Sequence, residues 1–412
     1  MADRDNLRIN LDRLLARLAA LGQVGALAGG GVCRLALSDA DKVGRDLVTA
    51  WMRELGLTVS VDGIGNVVGM RPGKTDGPPV MAGSHIDTVA TGGLYDGNLG
   101  VLSGLEVMAT LNDAGIETDR PLAVAFFTNE EGARFQPDML GSLTYVGGLS
   151  LEQAHASRGI DGPSAGEELA RIGYVGPAPV GQPRVHAYVE YHVEQGPVLE
   201  AEGLTIGAVE GVQGISWTEY TIEGVANHAG TTPMRLRHDA GYVAAAITTE
   251  VRRIAGAIGG NQVGTVGALT LFPNLVNVLA ERAVLTVDLR NTDEARLHEA
   301  ERQLEAFVAD LAKAEGVTIT PRRLARFEPV AFDPRIVGKV EALARQHGHT
   351  VKRMPSGAGH DAQMLARVCP AGMIFVPSAG GISHNTKEYT KPEDIAAGAH
   401  LLLHLLLDLA EA

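Results

Sequence analysis

The chain has 412 residues, 45% hydrophobic and 20% charged, with a formal net charge of −14. That length suggests two or three domains of ~150 residues each. An acidic balance, 4% aromatic residues and no Lys/Arg run argue against a nucleic-acid partner. No apolar run approaches the ~20 residues of a membrane span; "LLLHLLLDL" is interrupted by His404 and Asp408. The start, "MADRDNLRINLDRLLARLAAL", is charged and amphipathic and lacks the apolar core of a signal peptide. Cys33 and Cys369 lie far apart and outside any CxxC pair, which reads as two buried thiols in a reducing, cytoplasmic compartment.

Leucines 7, 11, 14, 15, 18 and 21 recur at helical spacing and predict a helix over 7–21. "SDADKVGRDLVTAWMREL" starts a second helix, with Ser38 and Asp41 at capping-box spacing and Asp in place of Glu. "GNVVGMRPG" and "PPVMAGSHID" read as strands, "GNLGVLSGLEVMATLNDAG" as a helix with a glycine stop, and "PLAVAFFTNEE" as a buried strand. The alternation of strand and helix predicts an α/β domain whose mixed sheet is covered by helices. In such sheets functional residues gather at strand carboxyl ends, where "SHID" and "TNEE" lie.

"RIGYVGPAPVGQPRV" loops towards the strand "HAYVEYHVEQG". "IGAVEGVQGISWTEYTIEG" then alternates like an antiparallel strand pair. The helix "DAGYVAAAITTEVRRIAG", the strands "VGTVGALTLF" and "VNVLAERAVLTVDLRN", and a helix from about Asp293 to Glu315 complete a compact α+β set. The α/β style resumes with "DPRIVGKVEALARQHG", "AGMIFVPS" and a final helix. The expected organisation is one domain, 1–208 and 327–412, interrupted by a smaller one at 209–326.

Two clusters carry chemistry. In "GSHIDTVATGGLYDGNLG", His85 and Asp87 are two apart and share a side of extended chain. A carboxylate there can fix the tautomer of a metal-binding imidazole. Asp96 follows in a glycine-rich turn. In "FFTNEEGARF", an apolar strand ends in Glu130 and Glu131. Neighbouring carboxylates repel and are costly to desolvate, and a divalent cation removes that cost. One residue can ligate while the other addresses water; Glu131 as ligand and Glu130 as base is one such division. A polar turn and a solvated loop would give the same two patterns. His192 and Gln195 in "YHVEQGPVLE" and His384 in "GGISHNTKEYT" add to the set. Imidazoles and carboxylates together suit Zn or a neighbouring first-row metal and suit Ca poorly. Five ligands exceed one tetrahedral site, and one bridging carboxylate would divide them between two ions ~3.5–4 Å apart.

The motifs "GSHIDTV…GGLYDGNLGV", "FFTNEEGARF", "YHVEQGPVLE", "VANHAGTTPMRLRHDA", "VNVLAERAVLTVDLRN", "SGAGHDAQMLARV" and "FVPSAGGISHNTKEYT" run in order along nearly the whole chain. They resemble the hydantoinase/carbamoylase family of dinuclear-metal amidohydrolases, within the superfamily of zinc carboxypeptidases and aminoacylases. The resemblance implies an exopeptidase-like catalytic domain and a ferredoxin-like inserted dimerisation domain. It places His85 and His192 on one of two divalent ions, Glu131 and His384 on the other, and Asp96 between them. Zn is the expected metal, with Mn, Co or Ni as alternatives. It makes Glu130 the general base and Asp87 the orienter of His85. His228, in "NHAGTTPM", would reach the active site of the second subunit of a homodimer and polarise the scissile carbonyl. Asn277 and Arg290 would bind the substrate carboxylate, with Gln195 and the backbone of Gly357 and Ala358 lining the same pocket. His360 in "GAGHDAQ" would support the site.

The implied reaction is hydrolysis of the carbamoyl group of an N-carbamoyl-L-amino acid to the amino acid, ammonia and carbon dioxide. Allantoate amidohydrolase and β-ureidopropionase use the same motifs; an aminoacylase or dipeptidase fits the "EQGPVLE" and "SHN" neighbourhoods less well. This chain departs from the family's Ile-Pro-Gly after "VNV", having Leu279, Ala280 and Glu281, which alters the turn that positions Asn277. His155, His186, His238, His298, His347, His349, His400 and His404 match no ligand position and read as structural or exposed.

Overall fold

The computed structural model describes residues 6–411. Residues 1–5, which head the charged N-terminal stretch, lie outside the described residues. The chain divides into two compact units: one runs through Gly211 and resumes at Ala331, and the other is Val212–Val330.

The larger unit opens with α1 (Leu11–Gly22) and α2 (Asp39–Glu54), then β1 (Thr58–Val61), β2 (Val67–Arg71) and β3 (Val80–His85). Next come α3 (Asn98–Asp113), β4 (Leu122–Phe127), and the short helices α4 (Leu140–Tyr145), α5 (Leu151–Ala156) and α6 (Ala165–Ile172). β5 (Ala187–Val193), α7 (Val198–Glu202) and β6 (Ile206–Val212) lead to the smaller unit. That unit holds β7 (Gly214–Glu223), α8 (Ala240–Ile258), β8 (Val263–Phe272), β9 (Arg282–Asn291), α9 (Glu294–Glu315) and β10 (Thr318–Phe327). β11 (Val330–Ala331), α10 (Pro334–Gln346), β12 (Val351–Ser356), α11 (Asp361–Leu365), β13 (Ala371–Val376) and α12 (Pro392–Ala410) complete the chain.

Among the described residues the large sheet has nine strands, in the order β1-β2-β4-β3-β5-β13-β6-β11, with β12 on β6. Its centre, β4-β3-β5-β13, is parallel, and β2 and β6 flank it antiparallel. Every residue of β3, β4, β5 and β13 is buried. Strands buried throughout must be covered on both faces, which is why they read as continuous apolar runs rather than alternating ones. In the smaller unit the sheet order is β10-β7-β9-β8, all antiparallel. The element order βαββαβ with this topology is ferredoxin-like. Its core sets Val243, Ile247, Val251 and Ile254 of α8 and Leu297 and Leu304 of α9 against Leu285, Val287 and Leu289 of β9.

Local differences from the sequence-based expectation have physical causes. The first helix starts at Leu11, not residue 7, because the Asn10 side chain accepts the Arg13 N–H and caps it there. Ser38 caps α2 through the Asp41 N–H, but the Asp41 carboxylate does not close the box. It turns to the Arg45 guanidinium at 2.7 Å and the Leu37 N–H at 2.7 Å, in a fully buried pair. β6 and β7 do not pair with each other: β6 joins β13 in the large sheet, and β7 lies between β10 and β9 in the small one. Alternation reports which face is buried; it does not say which strand is the neighbour.

Candidate metal centre and active site

The parallel centre of the large sheet delivers four segments from one edge. His85 ends β3, the Thr128–Glu131 turn follows β4, His192 is the penultimate residue of β5, and His384 lies in the loop after β13. The Nδ1 of His85 faces the Asp87 main-chain carbonyl at 2.9 Å, and the Nδ1 of His192 faces the Val193 carbonyl at 2.9 Å. A carbonyl only accepts, so each Nδ1 carries the proton and each Nε2 offers a lone pair. The Nε2 of His192 accepts the Gly97 N–H at 3.1 Å. Gly97 has φ 65°, and a Cβ there would meet the His85 ring at 2.5 Å. Only glycine brings this backbone so close to both imidazoles.

Asp96 joins the parts. Its Oδ1 is 3.2 Å from His192 Nε2 and 3.5 Å from His85 Nε2. Its Oδ2 is 3.3 Å from His384 Nε2, and Glu131 Oε2 is 3.2 Å from the same nitrogen. The two oxygens of one carboxylate thus address two sets, His85–Asp96–His192 and Asp96–Glu131–His384. Glu130 Oε2 lies 3.4 Å from His85 Nε2, so the adjacent acids diverge towards different histidines.

Electrostatics show what this cluster needs. Among the described residues, the ion-pair partners of Asp96, Glu130 and Glu131 are histidines. Glu131 Oε1 is buried and has no hydrogen-bond partner. Burial, then the Asp96 charge, push the Glu131 carboxyl up to about 8. A hydrogen bond to Asp96 raises His384 to about 9 against the opposing effect of burial. An orphaned carboxylate oxygen, imidazole Nε2 atoms turned to the cluster and mixed N/O donors in two sets fit divalent transition cations.

Other expected residues fall in different places. Asp87, expected to orient His85, meets the His85 Nδ1–H with its main-chain carbonyl at 2.9 Å. Its carboxylate accepts the Glu130 N–H at 3.4 Å instead, because that oxygen faces the turn after β4. Gln195, with φ 58°, donates Nε2–H to Asp96 Oδ2 at 2.8 Å, directly on the cluster. The Ala358 N–H donates to Ser356 Oγ at 3.1 Å, within its own loop. Gly357 precedes it in the same loop after β12. His360 stacks edge-on against His192, with centroids 4.6 Å apart, and meets Ser356 Oγ at 2.9 Å.

His228, Asn277 and Arg290 lie in the smaller unit. His228 is exposed and its Nδ1 accepts the N–H groups of Gly230 and Thr231 at 3.1 and 3.3 Å. Its remaining proton therefore sits on Nε2, facing outward as a donor. The His228 and Asn277 segments pair: Ala229 N–H donates to Asn277 O, and Leu279 N–H to Asn227 O, both at 2.9 Å. Leu279 and Ala280 are buried, so the departure from Ile-Pro-Gly is accommodated as a bridged, packed segment. Arg290 makes a two-pronged contact with Asp288 at 2.9–3.1 Å and lies 5.7 Å from the Trp217 ring centroid.

Several supporting residues escaped the sequence reading. Glu388 accepts the N–H groups of Tyr95 and Asp96 at 3.0 and 3.1 Å and so holds the Asp96 backbone. Burial, then Asp96, push its carboxyl up to about 7. Glu190, two residues before His192, binds Ser84 Oγ at 2.6 Å and the Ala362 N–H at 2.7 Å. Arg34, fully buried, ties the Ile86 carbonyl at 2.7 Å to Asn98 Oδ1 at 2.8 Å, bracketing the His85–Asp96 loop. The i, i+2 spacing of Glu190 and His192 was the one available signal; the others are long-range.

The model of peptidase family M20/M25/M40 matches residues 81–408, from within β3 into the last turn of the final helix. The chain belongs to this family. M20 proteins are metal-dependent, in keeping with the two donor sets. The chain is 44% identical over 411 residues to an N-carbamoyl-L-amino-acid amidohydrolase of Rhizobium meliloti, covering 100% of this chain and 99% of that one. It is 40% identical over 405 residues to an N-carbamoyl-L-amino acid amidohydrolase of Geobacillus stearothermophilus, covering 97% and 98%. The crystal structure of a hydantoinase/carbamoylase family amidase from Burkholderia multivorans matches with a TM-score of 0.96 at 45% identity, over 98% of each chain.

Proposed function

We propose that this chain hydrolyses the carbamoyl C–N bond of N-carbamoyl-L-amino acids. One water is consumed, and the amino acid, ammonia and carbon dioxide are released. The observation that carries the reading is the divided Asp96 carboxylate, with Glu130 beside one of the two sets it joins. His85, His192 and Asp96 would hold one divalent cation, and Asp96, Glu131 and His384 a second, zinc being favoured over manganese, cobalt or nickel. When bound, such cations supply Lewis acidity and neutralise the acids that otherwise repel.

Glu130 accepts the proton of the attacking water and returns it to the departing nitrogen. Its buried carboxyl lies 3.4 Å from His85 Nε2, and the Asp87 carboxylate accepts its main-chain N–H and so steadies the turn that carries it. The outward Nε2–H of His228 donates to the tetrahedral oxyanion, an effect of ~3–4 kcal/mol for one good donor. Arg290 exchanges Asp288 for the substrate carboxylate; both are two-pronged contacts that the planar guanidinium matches. Asn277 assists on the segment paired with that of His228.

The smaller unit is proposed to form a homodimer, so that His228 serves the second subunit. Support comes from β8, an edge strand that exposes Val263, Leu269 and Phe272, followed by exposed Leu275 and Val276. A bare apolar edge is a template for pairing with another copy. Among the described residues no helix is long and apolar enough to cross a membrane.

The deciding experiment is a hydrolysis panel on metal-reconstituted protein. N-carbamoyl-L- and D-amino acids, β-ureidopropionate, allantoate and N-acetyl amino acids are compared. Turnover of N-carbamoyl-L-amino acids above the others supports the reading; ammonia release from allantoate alone overturns it.

A further inference from the structure

A third group of donors lies away from the Asp96 centre. His400 and His404 stand one turn apart on α12, and His347 caps the C-terminal end of α10, which packs against α12. The three rings form a near-equilateral triangle, with centroids 4.6–4.7 Å apart. One ring nitrogen from each lies within 4.8 Å of the others. No motif in the sequence joins them: residue 347 comes from one helix end and the pair at 400 and 404 from the middle of an apolar helix.

His400 makes the triangle more than a stack of rings. It is 8% exposed, and both of its ring nitrogens are buried without a hydrogen-bond partner among the described residues. An imidazole so placed sacrifices its hydrogen bonds to water and gains none in return. Burial, then His404, Arg8 and His347, lower its pKa to about 3, so the ring is neutral and carries a lone pair. His404 Nε2 faces the Leu7 carbonyl at 3.4 Å, which ties α12 to the segment before α1. The H-x3-H spacing on one helix face is a known geometry for binding one ion. The last-turn carbonyls of α10 add partial negative charge at His347. His347 is half-buried and opens the group to solvent on one side.

We propose that His347, His400 and His404 form a separate transition-cation site that joins the end of α10 to α12. Three imidazole nitrogen donors select the zinc class, Zn, Ni or Cu, over Mg and Ca. A water completes the fourth position of the tetrahedron. The site is structural: it joins a helix end to a helix and stands apart from the Asp96 centre.

Zinc content per chain, measured after equilibrium dialysis of the full-length protein, tests this. Wild type is compared with His347→Ala and His404→Gln. The variants are expected to carry one zinc ion fewer per chain, to hydrolyse substrate as wild type does, and to lose part of the zinc-dependent rise in Tm. His347 sits at a half-exposed helix end, so His347→Ala keeps the test readable should His404→Gln fail to fold. A second comparison separates this site from the Asp96 centre. Protein bearing His85→Ala and His384→Ala should retain one zinc per chain and lose it when His347→Ala is added. Equal zinc content in wild type and His347→Ala, or none retained by the double variant, overturns the proposal.

Discussion

Glu130 and Glu131 are neighbours in the chain yet face different histidines: Glu130 Oε2 lies 3.4 Å from His85 Nε2, and Glu131 Oε2 lies 3.2 Å from His384 Nε2. In the proposed mechanism this divergence separates Glu130 as proton carrier from Glu131 as ligand. Glu130→Gln should reduce kcat roughly 10²–10⁴-fold, in the range of lost general-base catalysis, with metal content unchanged. Glu131→Gln should instead lower the metal content. Kinetics and elemental analysis on the same samples check both; equal metal loss in the two variants would reject the division of labour.

Removal of the cations should abolish hydrolysis, and zinc, manganese or cobalt should restore it. Without them the cluster keeps the unpartnered Glu131 oxygen and mutually repelling acids. A chelated protein shown by elemental analysis to be metal-free, and still fully active, contradicts the reading.

Gly97→Ala should damage the centre without touching a ligand. Its φ of 65° disfavours a side chain, and the added Cβ would meet the His85 ring at 2.5 Å. The backbone term alone, for a sparsely populated region, is about 1–3 kcal/mol, and displacement of His85 adds to it. Lower Tm together with weakened metal retention is the expected result.

Arg290→Lys should raise KM more than it lowers kcat. Lysine cannot reproduce the two-pronged contact that Arg290 makes with Asp288 and is proposed to make with substrate. Loss of one charge-assisted bond is worth about 1.5–3 kcal/mol, read as roughly 10- to 100-fold in kcat/KM. Mixing Glu130→Ala with His228→Ala subunits should restore part of the activity that each lacks alone; no recovery would remove the shared-site proposal.

The buried pair Asp41–Arg45 supports the site from below. Arg45 bonds the Gly65 carbonyl at 2.7 Å and Thr128 Oγ1 at 3.2 Å, just before Glu130. Asp41→Asn leaves that guanidinium uncompensated and should cost about 3–5 kcal/mol, measurable by urea unfolding.

Much of this was legible along the chain. The buried strands ending at His85 and before Glu130 show as apolar runs broken by charge, and α8, α9 and α12 show by period and caps. Arg34 reaching Asn98 across 64 positions leaves no such trace. β6 and β7 alternate alike and still belong to different sheets.

Residue order by itself determined which segments are helix or strand, which of their ends carry acids and imidazoles, and the family. These are local properties, set by period, capping and spacing. Only the folded chain decided that the Asp87 carbonyl faces His85 Nδ1, that Glu388 holds the Asp96 backbone, and that His347 meets His400 and His404. Each depends on which groups chain closure leaves facing one another once water is expelled, and spacing along the sequence does not encode that.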